Sequence, residues 1–434
     1  HDGITYVPVQ NLQPYDNYSF TAEEIEKLNS EPSSKESLLE NIEEQTNRYI
    51  IASTISKDLT TIDIFMSYCM EQVDTVHFPF YVGETESGKS SCAHLFKNLA
   101  YRCLYSLDMT TPNVYQFLGQ DEEGQGVIVE DEAQEIYKNS EKIRLYKGSY
   151  SRGSKIVRIV NSDSQNRAQM TYFSFGIKVF AGEKLPQDKG LLERLAVVKM
   201  VEGIPNGNIK RLTVQEKQTL EQIRKKCLFW KMQHCWENLP EISSELKNRD
   251  RELWEDFLRI ANGTKFFDRA LQVVKFYTEQ RHESIKNSLE AKLLRIIMNH
   301  LDENLEINIQ EIWNYIISPE NHILTGKLDG AQTFKLDEFA EKLSLHRIVA
   351  LIKDKFFGVS LERRIRGEDG KYHEKTYYSF KEDVFMNLVN KYRIEIPSFD
   401  HPLYKGQKGH NGQNCDPSDP FDAHIRCYYD QLRK

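Results

Sequence analysis

The octapeptide Gly83-Glu84-Thr85-Glu86-Ser87-Gly88-Lys89-Ser90 decides which fold this chain adopts. It satisfies the pattern GxxxxGK(S/T) in full. It lies between an aromatic and β-branched stretch at 78–82, which predicts a strand, and a stretch at 90–104 with apolar residues at helical spacing. In that context the backbone amides cradle phosphates, Lys89 reaches the β- and γ-phosphate oxygens, and Ser90 ligates Mg²⁺. The alternative, a turn with a chance lysine, is disfavoured by the flanking strand and helix. The sequence therefore predicts that ATP and Mg²⁺ are bound by Gly83, Glu84, Thr85, Glu86, Ser87, Gly88, Lys89, Ser90 and Ser91.

A second motif is Val127-Ile128-Val129-Glu130-Asp131-Glu132. It begins within a predicted buried strand at 126–129 and ends in three acidic residues. Hydrolysis of a nucleotide requires acidic groups that hold Mg²⁺ and orient the attacking water. We expect Asp131 to hold the metal and Glu132 to polarise the water, whereas the alternative is a solvated acidic turn. The two motifs resemble Walker A and Walker B of AAA+ ATPases, in which Asp-Glu at this place implies an active hydrolase. Glu130 departs from that pattern, because those proteins have an apolar residue before the aspartate.

The segment after the second motif narrows the resemblance. Residues 143–158 (Ile-Arg-Leu-Tyr-Lys-Gly-Ser-Tyr-Ser-Arg-Gly-Ser-Lys-Ile-Val-Arg) and 175–182 (Phe-Gly-Ile-Lys-Val-Phe-Ala-Gly) look like replicative helicase-type ATPases of plasmids, phages and integrated elements. The resemblance covers about residues 75–395. In that family a late arginine, here Arg194, stabilises the transition state on a neighbouring subunit's nucleotide, which implies a ring-shaped homo-oligomer, expected to be a hexamer. A surface or salt-bridging arginine is the alternative.

Two further sensor positions come from the same resemblance. The family places a polar sensor after the third strand, where this chain has Glu183. The stretch at 248–261 resembles the lid helix of these helicases, which makes Arg249 a second sensor reaching back to the γ-phosphate. A structural arginine at the start of a helix is the alternative for Arg249.

A basic segment between the second motif and the third strand is the predicted DNA contact. Its cations, with tyrosines between them, are Lys147, Arg152, Lys155, Arg158 and Arg167. A basic hairpin with aromatic residues suits a single DNA strand threaded through a ring, with cations on phosphates and rings on bases. A solvated charged loop is the alternative.

The chain after 320 has the order helix (336–343), helix (347–356), strand (358–365), turn (367–370) and strand (376–380), which describes a winged-helix module. Its predicted recognition helix begins at Arg347, and its predicted wing carries Arg363, Arg364, Arg366 and Lys371. Such a module binds duplex DNA through helix and wing, or it docks a protein. A late group of His and Cys residues matches no zinc-ligand spacing, and consists of His401, His410, Cys415, His424 and Cys427.

Composition sets the outer limits. The chain has 434 residues, 39% hydrophobic and 28% charged, and a formal net charge of −8, which argues against a globally basic nucleic-acid binder. Apolar runs fall short of the ~20 residues of a bilayer crossing, and the cysteines lack CxxC spacing, so we expect a reduced cytoplasmic protein without a membrane partner. The start at His1 suggests a fragment of a longer product, with a primase domain upstream or a separate primase as a partner.

This length predicts several domains. The predicted segments are an extended arm or linker at 1–40, an AAA+ ATPase core at 41–210, a helical lid at 211–285, a helical connector at 286–320, a winged-helix domain at 321–397 and an irregular tail at 398–434. A third strand at 172–181 completes the core, so the predicted fold class is an α/β P-loop NTPase of AAA+ type with a mostly parallel sheet and helices on both faces.

The predicted function is ATP hydrolysis coupled to DNA unwinding or translocation by a ring, in replication of a mobile element or virus. Its rival is an ATP-dependent protein remodeller, or a DNA-binding initiator or regulator without unwinding activity. A small-molecule kinase is disfavoured, because no arginine-bearing lid for a second phosphate substrate is evident and the winged module would go unexplained.

Overall fold

A five-stranded parallel sheet lies at the centre of the first part of the chain. The computed structural model describes residues 18–119, 126–133, 136, 139–160, 168–318, 343–366 and 370–396. The chain divides into two units, 1–279 and 280–434. The elements up to residue 286 are α1 Ala22–Ser30, α2 Lys35–Tyr49, α3 Thr54–Met66, a 3-10 helix Ser67–Gln72, β1 Phe78–Val82, α4 Lys89–Leu99, β2 Leu104–Ser106, α5 Thr111–Leu118, β3 Ile128–Glu130, α6 Ser140–Gly148, β4 Lys155–Val160, β5 Ala168–Phe173, β6 Lys178–Gly182, α7 Lys189–Leu192, β7 Leu195–Lys199, α8 Val214–His234, α9 Asn248–Ala261 and α10 Phe267–Lys286.

The sheet has the strand order β2-β3-β6-β1-β7, and every neighbouring pair is parallel. β6 therefore lies between β1, which leads into the glycine-rich loop, and β3, which leads into the acidic motif. In a parallel sheet the carboxyl ends of the strands meet at one edge, so the segments that follow these three strands are neighbours. This is the α/β P-loop NTPase fold class that the sequence predicts.

Helices cover both faces of the sheet. Tyr81 of β1 points to the face that α3 and α4 cover. Its hydroxyl lies 2.7 Å from the Thr60 hydroxyl of α3, and its ring packs on Phe96 of α4. The preceding residue, Phe80, points to the other face and packs on Phe180, its partner in β6. Tyr146 of α6 covers Phe180 on that side. The predicted two-sided packing of the core is thus confirmed.

The predicted strand at 172–181 is wrong, because the chain turns in its middle. Residues up to Phe173 belong to β5, which pairs antiparallel with β4 as a separate hairpin, and β6 begins only at Lys178. Between them Gly176 has φ +145°, and a Cβ there would lie 3.1 Å from the Gly126 carbonyl oxygen. The close approach of two backbones at this glycine explains why one apolar run forms two strands.

The described part of the predicted arm at 1–40 is helical rather than extended. Thr21 accepts a hydrogen bond from the Glu24 amide while the Glu24 side chain accepts from the Thr21 amide, and this capping box starts α1. Ser34 caps α2 in the same way through the Ser37 amide. These caps stop the chain from remaining extended after Pro32, and α2 packs on α3 within the core.

Helices α8, α9 and α10 follow the sheet, in the region predicted as a lid. His77, at the start of β1, ties α9 to the core. Its Nε2 lies 3.0 Å from an Asp63 carboxylate oxygen and its ring stacks on Trp254 at 4.1 Å. His77 is buried, so it packs rather than reacts. The predicted domain boundaries remain predictions.

The second unit has its own core and a small antiparallel sheet. Its elements after residue 286 are α11 Leu289–Asn299, β8 Glu306–Asn308, α12 Ile309–Ile317, α13 Leu345–Asp354, β9 Val359–Arg366, β10 Tyr372–Ser379 and α14 Glu382–Tyr392. The strand order is β8-β10-β9. The predicted helix and hairpin are present as α13, β9 and β10, whereas the predicted helix at 336–343 lies almost wholly outside the described residues, and the winged-helix assignment remains a prediction. Within the described ranges no helix is long and apolar enough to span a membrane.

A buried charge pair anchors α6 to the sheet edge. Glu130, the last residue of β3, is only 2% exposed. Its Oε1 lies 2.9 Å from the Lys142 ammonium and accepts a hydrogen bond from the Tyr146 hydroxyl. Burial raises the pKa of Glu130, and the Lys142 charge and the Tyr146 hydroxyl act against that rise. Glu130 is tolerated in place of an apolar residue because α6 supplies these two partners.

We predict that Lys142→Met lowers the free energy of unfolding by roughly 3–5 kcal/mol, because it leaves a buried carboxylate without its counter-charge. The triple variant Glu130→Leu/Lys142→Met/Tyr146→Phe should lose much less, since no polar group is left unpaired. Urea denaturation of each variant measures both values. Lys217→Met, at an exposed lysine of α8, is the control and should change stability by less than about 0.5 kcal/mol. A Lys142→Met cost below about 1 kcal/mol would contradict a structural role for the pair.

Candidate functional site

The loop between β1 and α4 has the backbone of a phosphate cradle. Gly88 has φ +87° immediately before the first residue of α4, a conformation that favours glycine. A Cβ on Gly83 would lie 2.4 Å from the Ser87 hydroxyl oxygen, so the loop closes on itself only with glycine there. The free amides and positive end of the α4 dipole therefore begin directly after the loop, where an anion would be stabilised.

Lys89 is folded into this loop rather than into solvent. The residue is 7% exposed, and its ammonium donates a hydrogen bond of 3.0 Å to the Glu84 carbonyl oxygen. Glu84, Thr85 and Glu86 are exposed around it. A lysine ammonium held against this loop presents its positive charge to an anion that binds there.

The structure brings the two sequence motifs together. The Ser90 hydroxyl donates a hydrogen bond of 3.2 Å to Asp131 Oδ1, although 41 positions separate the two residues. Asp131 is 3% exposed and follows β3 directly. Hydroxyl and carboxylate oxygens are the hard donors that Mg²⁺ prefers, so the residues present fit this metal. The roles of the predicted site residues remain proposals.

Two more predicted acids lie at the same edge. Glu132 is exposed and has φ +64°, a strained backbone conformation for a glutamate. Glu183 directly follows β6, accepts a hydrogen bond of 3.0 Å from the Thr85 hydroxyl, and lies 3.9 Å from the Lys89 ammonium. The carboxyl ends of β1, β3 and β6 thus place three predicted elements of one site side by side.

Sequence reasoning did not identify Tyr105 as part of this site. Its hydroxyl donates a hydrogen bond of 3.0 Å to Asp131 Oδ2. The contact exists because β2 pairs with β3, with Tyr105 opposite Val129. A lone tyrosine in a three-residue strand carries no motif, so only the strand pairing could have shown it.

Arg194 and Arg249 lie together at the opposite edge of the sheet. The Arg194 carbonyl accepts a hydrogen bond from the amide of Phe78, the first residue of β1. β1 is five residues long, which puts roughly 15 Å between this point and the glycine-rich loop. The guanidinium carbons lie 4.5 Å (Arg194) and 4.9 Å (Arg249) from the Tyr150 ring centroid. Burial, then the Arg249 charge, lowers the pKa of Arg194.

The role of Arg249 as a sensor of the γ-phosphate stays a prediction, and within one chain Arg249 lies away from the glycine-rich loop. Arg249 instead forms an ion pair with Glu252 on α9 and shares the Tyr150 ring with Arg194. Arg194 directly precedes β7, and Arg249 is the second residue of α9. Neither reaches the Lys89 side of the sheet within one chain.

Arg152, a predicted DNA contact, makes several contacts within its own chain. Its guanidinium donates two hydrogen bonds of 2.6 Å, to the carbonyl oxygens of Met70 and Val73, and lies 3.3 Å from an Asp74 carboxylate oxygen. These carbonyls end the 3-10 helix and would otherwise lack donors. Arg152 therefore holds the chain ahead of β1, and its contact with DNA stays a prediction.

The other hairpin cations differ in their environment. Lys147 lies 3.2 Å from Asp188, and Arg158 pairs with Glu141, so both are neutralised by carboxylates of the same chain. Lys155 is exposed, with its ammonium 5.1 Å from the Phe173 ring centroid. Arg167 lies outside the described residues. Among Lys147, Arg152, Lys155 and Arg158, Lys155 is the exposed residue and the other three are half-buried, so Lys155 is the most accessible of these four predicted contacts with nucleic acid.

The predicted wing of the second unit carries paired arginines. Arg363 lies 2.5 Å from Glu306, and Arg364, at 76% exposure, lies 2.9 Å from Glu374. Arg366 donates to the Gly370 carbonyl oxygen at 3.3 Å. The late His and Cys residues lie outside the described ranges, and within those ranges no group of three or more His, Cys, Asp or Glu is placed to hold a metal.

No protein-family profile matches the chain, and no curated protein matches its sequence. Similar solved structures include the apo C-terminal region of NrS-1, with 11% identity, a TM-score of 0.33, and coverage of 88% of this chain and 81% of that chain. A full-length MCM homologue from Methanopyrus kandleri has 13% identity and a TM-score of 0.36, over 63% of this chain and 64% of that chain. JCV helicase has 13% identity and a TM-score of 0.24, over 59% and 72%. These values are too low to carry an argument about function, which rests on the geometry of the site.

Proposed function

We propose that this chain is an ATPase whose nucleotide site lies at the carboxyl edge of the parallel sheet. One observation carries the proposal: Ser90 of the glycine-rich loop lies 3.2 Å from Asp131 after β3, beside the buried Lys89. A phosphate cradle and a carboxylate with metal-ligand geometry are the two parts that phosphoryl transfer from a nucleotide requires. If the glycine-rich loop were an ordinary turn and the acidic motif a solvated loop, nothing would favour the contact between Ser90 and Asp131.

Each residue has a defined task in this mechanism. The loop amides and Lys89 bind the β- and γ-phosphates. Ser90 and Asp131 would hold Mg²⁺, which when bound would neutralise charge on the phosphate oxygens. Glu132 accepts a proton from the attacking water while the water oxygen bonds to the γ-phosphorus. The bond from that phosphorus to the bridging oxygen breaks, and ADP leaves. Glu183, which accepts a hydrogen bond from Thr85, is the proposed polar sensor of the site.

We expect Lys89→Ala to abolish both nucleotide binding and hydrolysis, because it removes the one buried cation of the cradle. Glu132→Gln should keep nucleotide binding near the wild-type value and lower kcat by about 10²–10⁴-fold, as expected for loss of a general base. Fluorescent-nucleotide titration measures binding, and phosphate release measures kcat. Lys217→Ala is the matched control on an exposed helix face. Full activity of the Lys89 variant would exclude the proposed site.

The second part of the proposal is that the chain is an AAA+ motor that works on DNA, as a helicase or translocase in replication of a mobile element or virus. The β4–β5 hairpin supports this part of the proposal. It lies between β3 and β6 along the chain but forms a separate two-stranded sheet, and it exposes Lys155, Val157 and Met170. The C-terminal module, proposed as a winged helix, would contact duplex DNA through Arg347 and the wing arginines. A primase domain or separate primase is a proposed partner.

Single-stranded DNA should stimulate ATP hydrolysis if the hairpin contacts a strand. Lys155→Glu should remove most of this stimulation while leaving the DNA-independent rate unchanged, because it reverses the charge of an exposed group away from the nucleotide. Lys217→Glu is the control for a change of net charge alone. Stimulation should also fall steeply with salt. Absence of stimulation in the wild-type chain would favour the rival, an ATP-dependent protein remodeller or a DNA-binding regulator.

The third part is that the active form is a homo-oligomeric ring, which we propose to be a hexamer. Arg194 and Arg249 are about one strand length from the nucleotide site of their own chain, at the opposite edge of the sheet. Two guanidinium groups on one tyrosine ring repel each other, and an anion placed between them would relieve that repulsion. The anion that fits is the γ-phosphate of a nucleotide on a neighbouring copy.

Mixing two inactive variants tests this arrangement. Arg194→Ala alone should lower kcat by about 10³-fold or more while leaving nucleotide affinity near the wild-type value. A 1:1 mixture with Lys89→Ala should recover about a quarter of the wild-type rate, because random assembly pairs an intact loop with an intact arginine at that fraction of interfaces. Arg194→Ala mixed with Glu132→Gln should recover activity similarly. A mixture as inactive as its components would contradict action across subunits.

A further inference from the structure

Tyr105 holds the carboxylate that would face the metal. Asp131 accepts two hydrogen bonds from hydroxyl groups, at Oδ1 from Ser90 at 3.2 Å and at Oδ2 from Tyr105 at 3.0 Å. The two donors come from opposite sides of the carboxylate, one from α4 and one from β2. The hydrogen bond from Tyr105 to Oδ2 therefore determines which carboxylate oxygen of Asp131 faces Ser90.

The tyrosine itself is firmly placed. Its backbone pairs with β3, and the next residue of β2, Ser106, accepts a hydrogen bond of 2.9 Å from the Asp131 amide. Its ring lies 5.0 Å from the His94 ring and 4.9 Å from the Lys97 ammonium, both on α4. A phenol is protonated at neutral pH, so the Tyr105 hydroxyl donates the hydrogen bond to Asp131 Oδ2. The donor is thus fixed by a strand and a helix that both belong to the site.

We infer that Tyr105 is a positioning residue for the divalent cation of this site: its hydroxyl locks the Asp131 carboxylate so that Oδ1 stays directed at Ser90. The inference rests on the proposed ATPase function and names a residue outside both sequence motifs. Rotation of an aspartate carboxylate about its last torsion is soft, so an unheld Asp131 would sample orientations that present no oxygen to the metal. Groups that orient a metal ligand commonly change metal affinity by about 10–100-fold when removed.

The test is Tyr105→Phe, which removes the hydroxyl and keeps the ring. Mn²⁺ serves as the probe, and its binding to the full chain with ADP is followed by electron paramagnetic resonance. We expect Mn²⁺ affinity to fall by about 10–100-fold. ADP affinity in EDTA should stay unchanged, and the half-saturating Mg²⁺ concentration for hydrolysis should rise in parallel. The control is Tyr68→Phe, which loses a buried hydroxyl bond of 2.7 Å to the Leu99 carbonyl oxygen and does not touch Asp131.

The possible outcomes separate this inference from the proposed function. Wild-type Mn²⁺ affinity in Tyr105→Phe would overturn the inference while leaving the ATPase intact. Equal loss of Mn²⁺ affinity in Tyr105→Phe and Tyr68→Phe would also overturn it, because a general loss of packing would then be the cause. Failure of the wild-type chain to bind ADP and Mn²⁺ together would overturn both the inference and the proposed function. Selective loss in Tyr105→Phe supports the inference.

Discussion

The parallel pairing of β1, β6 and β3 is the constraint on which the rest of the structure depends. It brings Ser90 within 3.2 Å of Asp131 and places Glu183 beside Thr85, because each group follows the carboxyl end of its strand or opens the next helix. The parallel pairing of β7 with β1 places Arg194 at the opposite edge, because Arg194 directly precedes β7. One arrangement of strands therefore assembles the proposed phosphate site and separates it from the arginines of the same chain.

Local patterns were enough to predict the parts of this site that follow strands directly. The glycine-rich loop between an apolar strand and a helix, and the acids after a buried strand, need only neighbouring residues to be recognised. β1 has the bounds predicted from sequence, and α4 begins one residue earlier than its predicted start. The predicted strand at 172–181 failed because hydrophobic composition does not show where a backbone must turn around another backbone, as Gly176 does against Gly126.

Residues whose tasks depend on distant partners could not be predicted in this way. Arg152 lies in a basic segment of the kind that predicts a DNA contact. Its guanidinium donates hydrogen bonds to the carbonyl oxygens of Met70 and Val73, some eighty positions earlier. Glu130 looks like a misplaced charge until Lys142 and Tyr146 are seen against it. In both cases the charge type is visible in the sequence, and the partner that determines its role is supplied by tertiary packing.

Helix α6 joins the two edges that the parallel sheet keeps apart. Its Lys142 and Tyr146 bind Glu130, the residue directly before Asp131, and the chain after its last turn carries Tyr150, against which Arg194 and Arg249 lie. A short helix held by buried contacts moves as a rigid element, because its backbone hydrogen bonds leave little internal freedom. Glu130, α6 and Tyr150 therefore form one contiguous set of contacts between the acidic motif and the arginine pair.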